Sequence, residues 1–286
     1  MKKLCLCLLI ILLLFTGCEK PESTQIVATT LPVYEFTTQL CKGTPITVSM
    51  LITENVSCLH DYSVQVSQMQ NIESAETIIL SGAGLEDFLD DALRNHPQKV
   101  NAAEGIGCNH NADEHHNTHH HDEDPHLWLS PEKAKQMSVN IAANLSDIYP
   151  EYEEQFLANL MELLAKLDAL QEYGENTLHD LSCRELITFH DGFSYFAEAF
   201  DLHILKAVEE ESGSEISAKE LVNLSKLITD LNIPAIFTET NGSVASAKAL
   251  QAEMDVAVYT LDMAMSGGSY FDAMYHNINT IKEALE

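Results

Sequence analysis

The chain has 286 residues and a formal charge of −29 at neutral pH, with 44 acidic against 15 basic side chains. A surface of that sign repels nucleic acid and anionic lipid head groups and attracts cations, so nucleic-acid binding is set aside. At this length, with 45% hydrophobic residues, the chain suits two lobes or one large domain.

The first segment reads as a targeting signal. Met1-Lys2-Lys3 is a short basic head, and Leu4 to Phe15 is an apolar run too short to span a bilayer. Thr16-Gly17-Cys18 follows, and small residues before a cysteine at this place resemble a bacterial lipobox. Residues 1–17 are therefore expected to leave as a signal peptide, Cys18 to carry lipid, and residues 18–25 to form a polar tether. The expected location is lipid-anchored and extracytoplasmic, in a periplasm or on the outer face of a bacterial cell.

From residue 25 onward, strands and helices alternate. Residues 25–30 (QIVATT), 45–52 (PITVSMLI) and 76–81 (ETIILS) read as strands, as does the weaker stretch 100–103. Residues 33–41 and 85–94 read as helices. Pro131 directly after Ser130 marks a helix start, and Pro150 stops that helix near Ile148. Over residues 151–178 the apolar positions Tyr152, Phe156, Leu160, Leu163, Leu164, Leu167 and Leu170 form a stripe of helical period. A helix of that length reaches roughly 40 Å, enough to bridge two lobes. The second half repeats the alternation, with strands at 184–189, 203–208, 233–238 and 256–261. A helix at 217–230 opens on the capping box of Ser217 and Glu220. Further helices follow at 243–254, capped by Ser243, and at 270–286. The predicted fold class is α/β: two lobes, each a mostly parallel four-stranded sheet flanked by helices, joined by one long backbone helix. The expected divisions are an N-terminal lobe at 26–150, the linking helix at 151–178 and a C-terminal lobe at 179–286.

Seven of the 13 histidines fall between His110 and His126, mixed with five acids and no lysine or arginine. Neutral imidazole and carboxylate are ligands for borderline divalent metals, zinc foremost. A run this polar cannot bury a core, so residues 109–123 read as a loop. Within it His110, His115, His116, His119, His120 and His121 form an auxiliary set that collects metal weakly. His126 differs, because it stands at the start of an ordered helix.

In open α/β sheets, ligands bind outside the carboxyl ends of the strands. Four metal-ligating residues fall on that side of predicted strands: His60, His126, His190 and Asp262. Three imidazoles and a carboxylate would complete a closed four-coordinate zinc site between the lobes. Glu239 is an alternative fourth ligand or an acceptor behind the ligands, and water is another candidate for the fourth position. The rival class is a zinc-dependent hydrolase. The chain has no H-E-x-x-H, no H-x-x-E-H, no G-x-S-x-G and no Walker A sequence. A closed site suits capture, whereas a catalytic zinc keeps a position open for water. No enzymatic activity is expected. Beyond the signal and Cys18, four cysteines remain (Cys41, Cys58, Cys108 and Cys183) and three pairings are open to them.

Several of these stretches match a known family. Asp124-Pro125-His126-Leu127-Trp128-Leu129-Ser130-Pro131 resembles the D-P-H-x-W-L-x-P segment of the metal-binding lipoproteins of zinc and manganese ABC transporters. Residues 189–196 (FHDGFSYF) resemble their F-H-D-x-x-x-Y-F segment, and His60-Asp61-Tyr62 their H-D-Y element. Leu261-Asp262, with Tyr270 and His276-Asn277 downstream, resembles their C-terminal ligand region. The chain departs from the family pattern at Leu59 for Pro, at residues 63–66 for E-P-T-P, and at Gln68 for Asp. The resemblance implies a solute-binding protein, expected as a monomer, that captures a divalent metal. It would deliver that metal to a membrane permease driven by a cytoplasmic ATPase. Manganese members of the family carry Glu at the place of His190, so imidazole here favours Zn²⁺ over Mn²⁺. A manganese protein with a role in host attachment is the alternative within the family.

Overall fold

A computed structural model describes residues 25–56, 59, 62–107, 124–209, 216–240, 242, 244–265 and 267–286. The signal and lipobox lie outside that range. Two four-stranded sheets form, both wholly parallel. The first contains β1 (Ile26–Ala28), β2 (Val48–Met50), β3 (Thr77–Leu80) and β4 (Lys99–Asn101) in the order β2-β1-β3-β4. The second contains β5 (Glu185–His190), β6 (His203–Glu209), β7 (Ala235–Glu239) and β8 (Ala257–Leu261) in the order β6-β5-β7-β8. The two windings are the same. Each has its chain reversal between the first and third strands of the lobe, and in such sheets that reversal opens a crevice at the carboxyl ends.

The helices in chain order are α1 (Leu31–Leu40), α2 (Val66–Ser74), α3 (Asp90–Leu93), α4 (Pro131–Ile148), α5 (Glu153–Leu178), α6 (Ser194–Ala199), α7 (Ala218–Leu231), α8 (Ala245–Glu253) and α9 (Tyr270–Leu285). The capping box of Ser217 and Glu220 closes the start of α7 in both directions, and Asn232 ends that helix in the left-handed conformation.

The helices depart in detail from the sequence reading at three places. The helix expected over 85–94 is a 3-10 turn at Asp87–Leu89 followed by the single turn of α3. Gly82, Ala83 and Gly84 all take positive φ, and Glu86 turns its carboxyl back onto the amides of Ser81 and Gly82 at 2.7 and 2.9 Å. That local closure occupies the residues where a longer helix would begin. The linking helix starts at Glu153, because Pro150 first makes a 3-10 turn through Tyr152. Helix α2 carries little apolar signal: its buried side chains are only Gln68 and Ile72.

Helix α5 joins the two halves. Its buried stripe runs Phe156, Leu160, Leu163, Leu167, Leu170, Gly174 and Leu178. It packs on α1 and α4 of the first lobe and on α9 of the second. Asn159 donates to the carbonyls of Leu40 and Lys42 at 2.7 and 2.8 Å, tying the end of α1 to α5. One apolar core runs through both lobes, and a smaller one built on Ile187, Phe189, Ile228 and Ile236 lies under α7 and α8. Hydrogen bonds also cross between the lobes. The Trp128 indole N–H donates to Met263 O at 2.8 Å, and the Tyr270 hydroxyl donates to Trp128 O at 2.8 Å. Leu31 N donates to Met265 O at 3.0 Å, and Glu35 accepts from the Tyr270 amide at 3.0 Å. No helix among the described residues is long and apolar enough to cross a membrane.

Gly174 lies where α5 meets the ring of Phe200, and a Cβ there would overlap the ring edge. Phe200 is itself buried against Phe196, with ring centroids 4.9 Å apart, so it has nowhere to retreat. In an open helix, Gly→Ala gains about 1 kcal/mol of propensity. Overpacking costs about 1–3 kcal/mol. We expect Gly174→Ala to lower the thermal midpoint; an unchanged or raised midpoint in a calorimetric melt would contradict the packing argument.

Candidate metal centre

The site is built around two imidazoles. His126 precedes a 3-10 turn at Leu127–Leu129, after which Ser130 caps α4 by accepting from Lys133 N. Asp124, two residues earlier, holds His126 twice through one oxygen. Oδ1 accepts the His126 backbone N–H at 3.0 Å and lies 2.8 Å from the ring Nδ1. Both side chains are about 2% exposed. The Tyr195 hydroxyl donates to the Asp124 carbonyl at 3.1 Å, so a residue of the second lobe steadies the segment. Burial pushes the Asp124 carboxyl up, but the hydrogen bond and charge of His126 outweigh it and hold the group below the usual carboxylate range. An ionised Asp124 takes the Nδ1 proton side of the ring and leaves Nε2 as the lone-pair nitrogen.

His190 closes β5, one residue further into the strand than the sequence suggested, and is equally buried. Glu239 closes β7 and is 4% exposed. These strands are neighbours, with Thr188 opposite Phe237. Two residues further along each strand come His190 and Glu239, on the same face. Glu239 Oε2 stands 3.8 Å from His190 Nδ1, which is close for a charge contact and long for a hydrogen bond. The pair lies at the chain reversal of the second sheet.

The two rings meet edge to face, with centroids 5.4 Å apart and planes at 86°. Gly192 lies against both. A Cβ on it would come within 2.8 Å of His190 Cδ2, 3.0 Å of His126 Cε1 and 2.6 Å of Met263 Cε. Cδ2 of His190 adjoins Nε2, and Cε1 of His126 lies between its two ring nitrogens, so both rings present an edge to this glycine.

Asp262 directly follows β8. Its backbone is held by Asn277, which accepts from the Asp262 amide and donates to its carbonyl, both at 2.7 Å. Its Oδ1 accepts from Ala264 N at 2.8 Å. The residue lines a cavity of about 250 Å³ together with Leu31, Ser269, Asp272 and His276. Among the described residues, no group of three His, Cys, Asp or Glu side chains stands close enough to hold a metal ion. The structure thus brings His126 and His190 together, with Asp124 and Glu239 behind them, and leaves Asp262 on the neighbouring cavity.

His60, the six histidines at 110–121 and Cys18 lie outside the described residues. The residues that flank His60 are anchored. Leu59 is buried, and Tyr62 N donates to Leu59 O at 3.0 Å. Gln68, the departure from the family's Asp, donates to Tyr62 Oη, Leu51 O and Glu54 Oε2 at 2.6, 3.0 and 3.2 Å. Sequence reasoning quoted Gly192, Asn277 and Asp124 within the matched segments but gave none of them a role of its own; for Asp124, its place two residues before His126 was the signal available.

The match to a known family now has its geometry. The family model "ZnuA: Zinc-uptake complex component A periplasmic" matches residues 26–284. The chain belongs to this family. The zinc-binding protein AdcA of Streptococcus pyogenes is 28% identical, over 90% of this chain and 55% of its own length. The high-affinity zinc uptake system protein ZnuA of Bacillus subtilis is 28% identical, over 93% of this chain and 89% of its own. A crystal structure of ZnuA superposes with a TM-score of 0.81 at 28% identity, covering 92% of this chain and all of that one. The chain spans about half the length of the streptococcal relative, and nearly all of the other two. The ZnuA family is a periplasmic uptake component, so family membership speaks against the hydrolase reading.

Gly192→Ala is expected to disturb both rings at once. The added methyl meets His126, His190 and Met263 together, so metal binding measured by titration should weaken at least tenfold while the far-UV spectrum stays native. Unchanged affinity would mean that the rings can yield without cost.

Proposed function

We propose that this protein captures Zn²⁺ outside the cytoplasm and delivers it to the permease of an ABC uptake system with its cytoplasmic ATPase. The observation that carries the reading is the pair of buried imidazoles from opposite lobes, meeting at Gly192, each with a carboxyl group on its Nδ1 side. A carboxylate behind Nδ1 fixes the tautomer that presents Nε2 to a metal and raises its basicity. His126 and His190 supply two ligands. His60 is the third, brought by the loop that Leu59, Tyr62 and Gln68 brace. Asp262 is the fourth, its backbone fixed by Asn277. Nitrogen ligands favour zinc over manganese, and the names of the relatives point the same way.

The six histidines His110, His115, His116, His119, His120 and His121 act as a low-affinity collecting loop rather than as ligands of the site. Cys18 carries the lipid anchor that keeps the protein beside its permease. The protein works as a monomer, and the metal is cargo.

Calorimetry separates the site from the loop. Deleting residues 110–121 should leave tight one-to-one zinc binding in place, whereas His126→Ala combined with His190→Ala should weaken it by about a hundredfold or more. Imidazoles bind metal only when neutral, so the affinity of the loop-deleted protein should fall as pH drops through the imidazole range. The opposite pattern, with binding lost on loop deletion and kept in the double variant, would sink the proposal.

A further inference from the structure

Glu239 lies outside the set of residues assigned as ligands. It is a carboxyl group nine-tenths buried at the end of a central strand, taken out of water beside the His190 ring. The fold also makes room for it. Gly242 sits against its side chain, and a Cβ on that glycine would overlap Glu239 Cγ and lie 2.7 Å from Oε1. The register of β5 and β7 puts the group beside His190 and nowhere near solvent. The two imidazoles of the site are then framed in the same way but not equally. Asp124 is in hydrogen-bond contact with Nδ1 of His126 at 2.8 Å, while Glu239 stands 3.8 Å from Nδ1 of His190.

We infer that Glu239 is a positioning residue for zinc. It directs Nδ1–H of His190 toward itself and so holds Nε2 toward the metal, closing the remaining gap as the metal draws the ring into place. The inference rests on the zinc-site reading above and assigns Glu239 behind His190 rather than on the metal. A carboxylate partner at this remove changes metal affinity by about 10- to 100-fold in other sites of this kind.

The test uses the full mature chain with Glu239→Gln, Glu239→Ala and, as a control, His190→Ala. Zinc affinity is read by competition with a chromophoric chelator, release by stopped flow, and the state of His190 by ¹⁵N chemical shifts of the zinc-loaded protein. Glu239→Ala should weaken zinc by about 10- to 100-fold, chiefly through faster release, and blur the Nδ1–H, Nε2–metal signature of His190. Glu239→Gln should recover part of the affinity and most of that signature, since its amide oxygen still accepts from Nδ1–H. A merely structural role would not move the ring signature or be rescued in this way. Wild-type affinity, release and shifts in both Glu239 variants, with His190→Ala impaired, would overturn the inference and leave the zinc site standing. Tight binding retained in His190→Ala would remove the site itself, and the inference with it. A zinc-loaded crystal showing Glu239 oxygen bonded to the metal would make it a ligand and overturn the positioning role.

Discussion

The structure depends on how the Trp128 segment is locked between the lobes. Its indole N–H is given to Met263 O and its carbonyl accepts the Tyr270 hydroxyl, both at 2.8 Å and both out of water. A buried polar group left without its partner costs about 1–3 kcal/mol, so sliding the lobes apart would expose at least two such debts together. Trp128 is two residues from His126, and Met263 follows Asp262. The clamp therefore fixes the separation between the His126 segment of the first lobe and the region of the second that faces it. The continuous core through both lobes and the stripe of α5 act in the same direction. Swinging of whole lobes would break these contacts together.

Electrostatics act on this frame at two ranges. The whole chain is strongly acidic, and that long-range field is screened within about 10 Å at ordinary ionic strength. The short-range part is more selective. Asp124 is buried and held ionised by its contact with His126. Removing carboxylates from water is unfavourable unless positive charge or donors compensate. On the proposed reading, a divalent ion on the far side of the imidazoles would supply that compensation through the ring, and groups that never touch the metal would contribute to its binding.

Much of this was legible in the sequence, and the reasons differ from residue to residue. The alternation of strands and helices was readable because parallel strands buried on both faces are continuous apolar runs, and because Ser130-Pro131 and the Ser217–Glu220 box mark helix starts chemically. His126 and His190 stood out because they follow predicted strands and carry their neighbours with them. Helix α2 was not readable, since a nine-residue helix with two buried positions leaves almost no periodic trace. The helix over 85–94 was misread because Glu86 spends its side chain on the preceding turn, a tertiary choice that propensity does not record. Gly192 and Gly242 were invisible for a related reason. What matters at each is an absent methyl facing a side chain, and that is a fact of packing, not of composition.

The two lobes share a winding but not a chemistry, and the difference explains where the ligands come from. At the reversal of the first sheet the strand ends are already satisfied. Thr30 and Ser81 share a hydroxyl hydrogen bond at 2.7 Å, and Glu86 accepts from Thr29 and from the Ser81 amide. Those hydroxyls and that carboxyl hold one another, and burial pushes the Glu86 carboxyl up, so the group is a poor candidate for a metal anion partner. At the equivalent reversal of the second sheet stand His190 and Glu239, an imidazole and a carboxyl group 3.8 Å apart. In the first lobe, whose strand ends are closed by internal hydrogen bonds, His126 stands away from the strand ends, in the segment leading into α4. A histidine that leaves the strand ends loses the backbone ladder that would fix it. The Asp124 brace on His126 makes up for that loss.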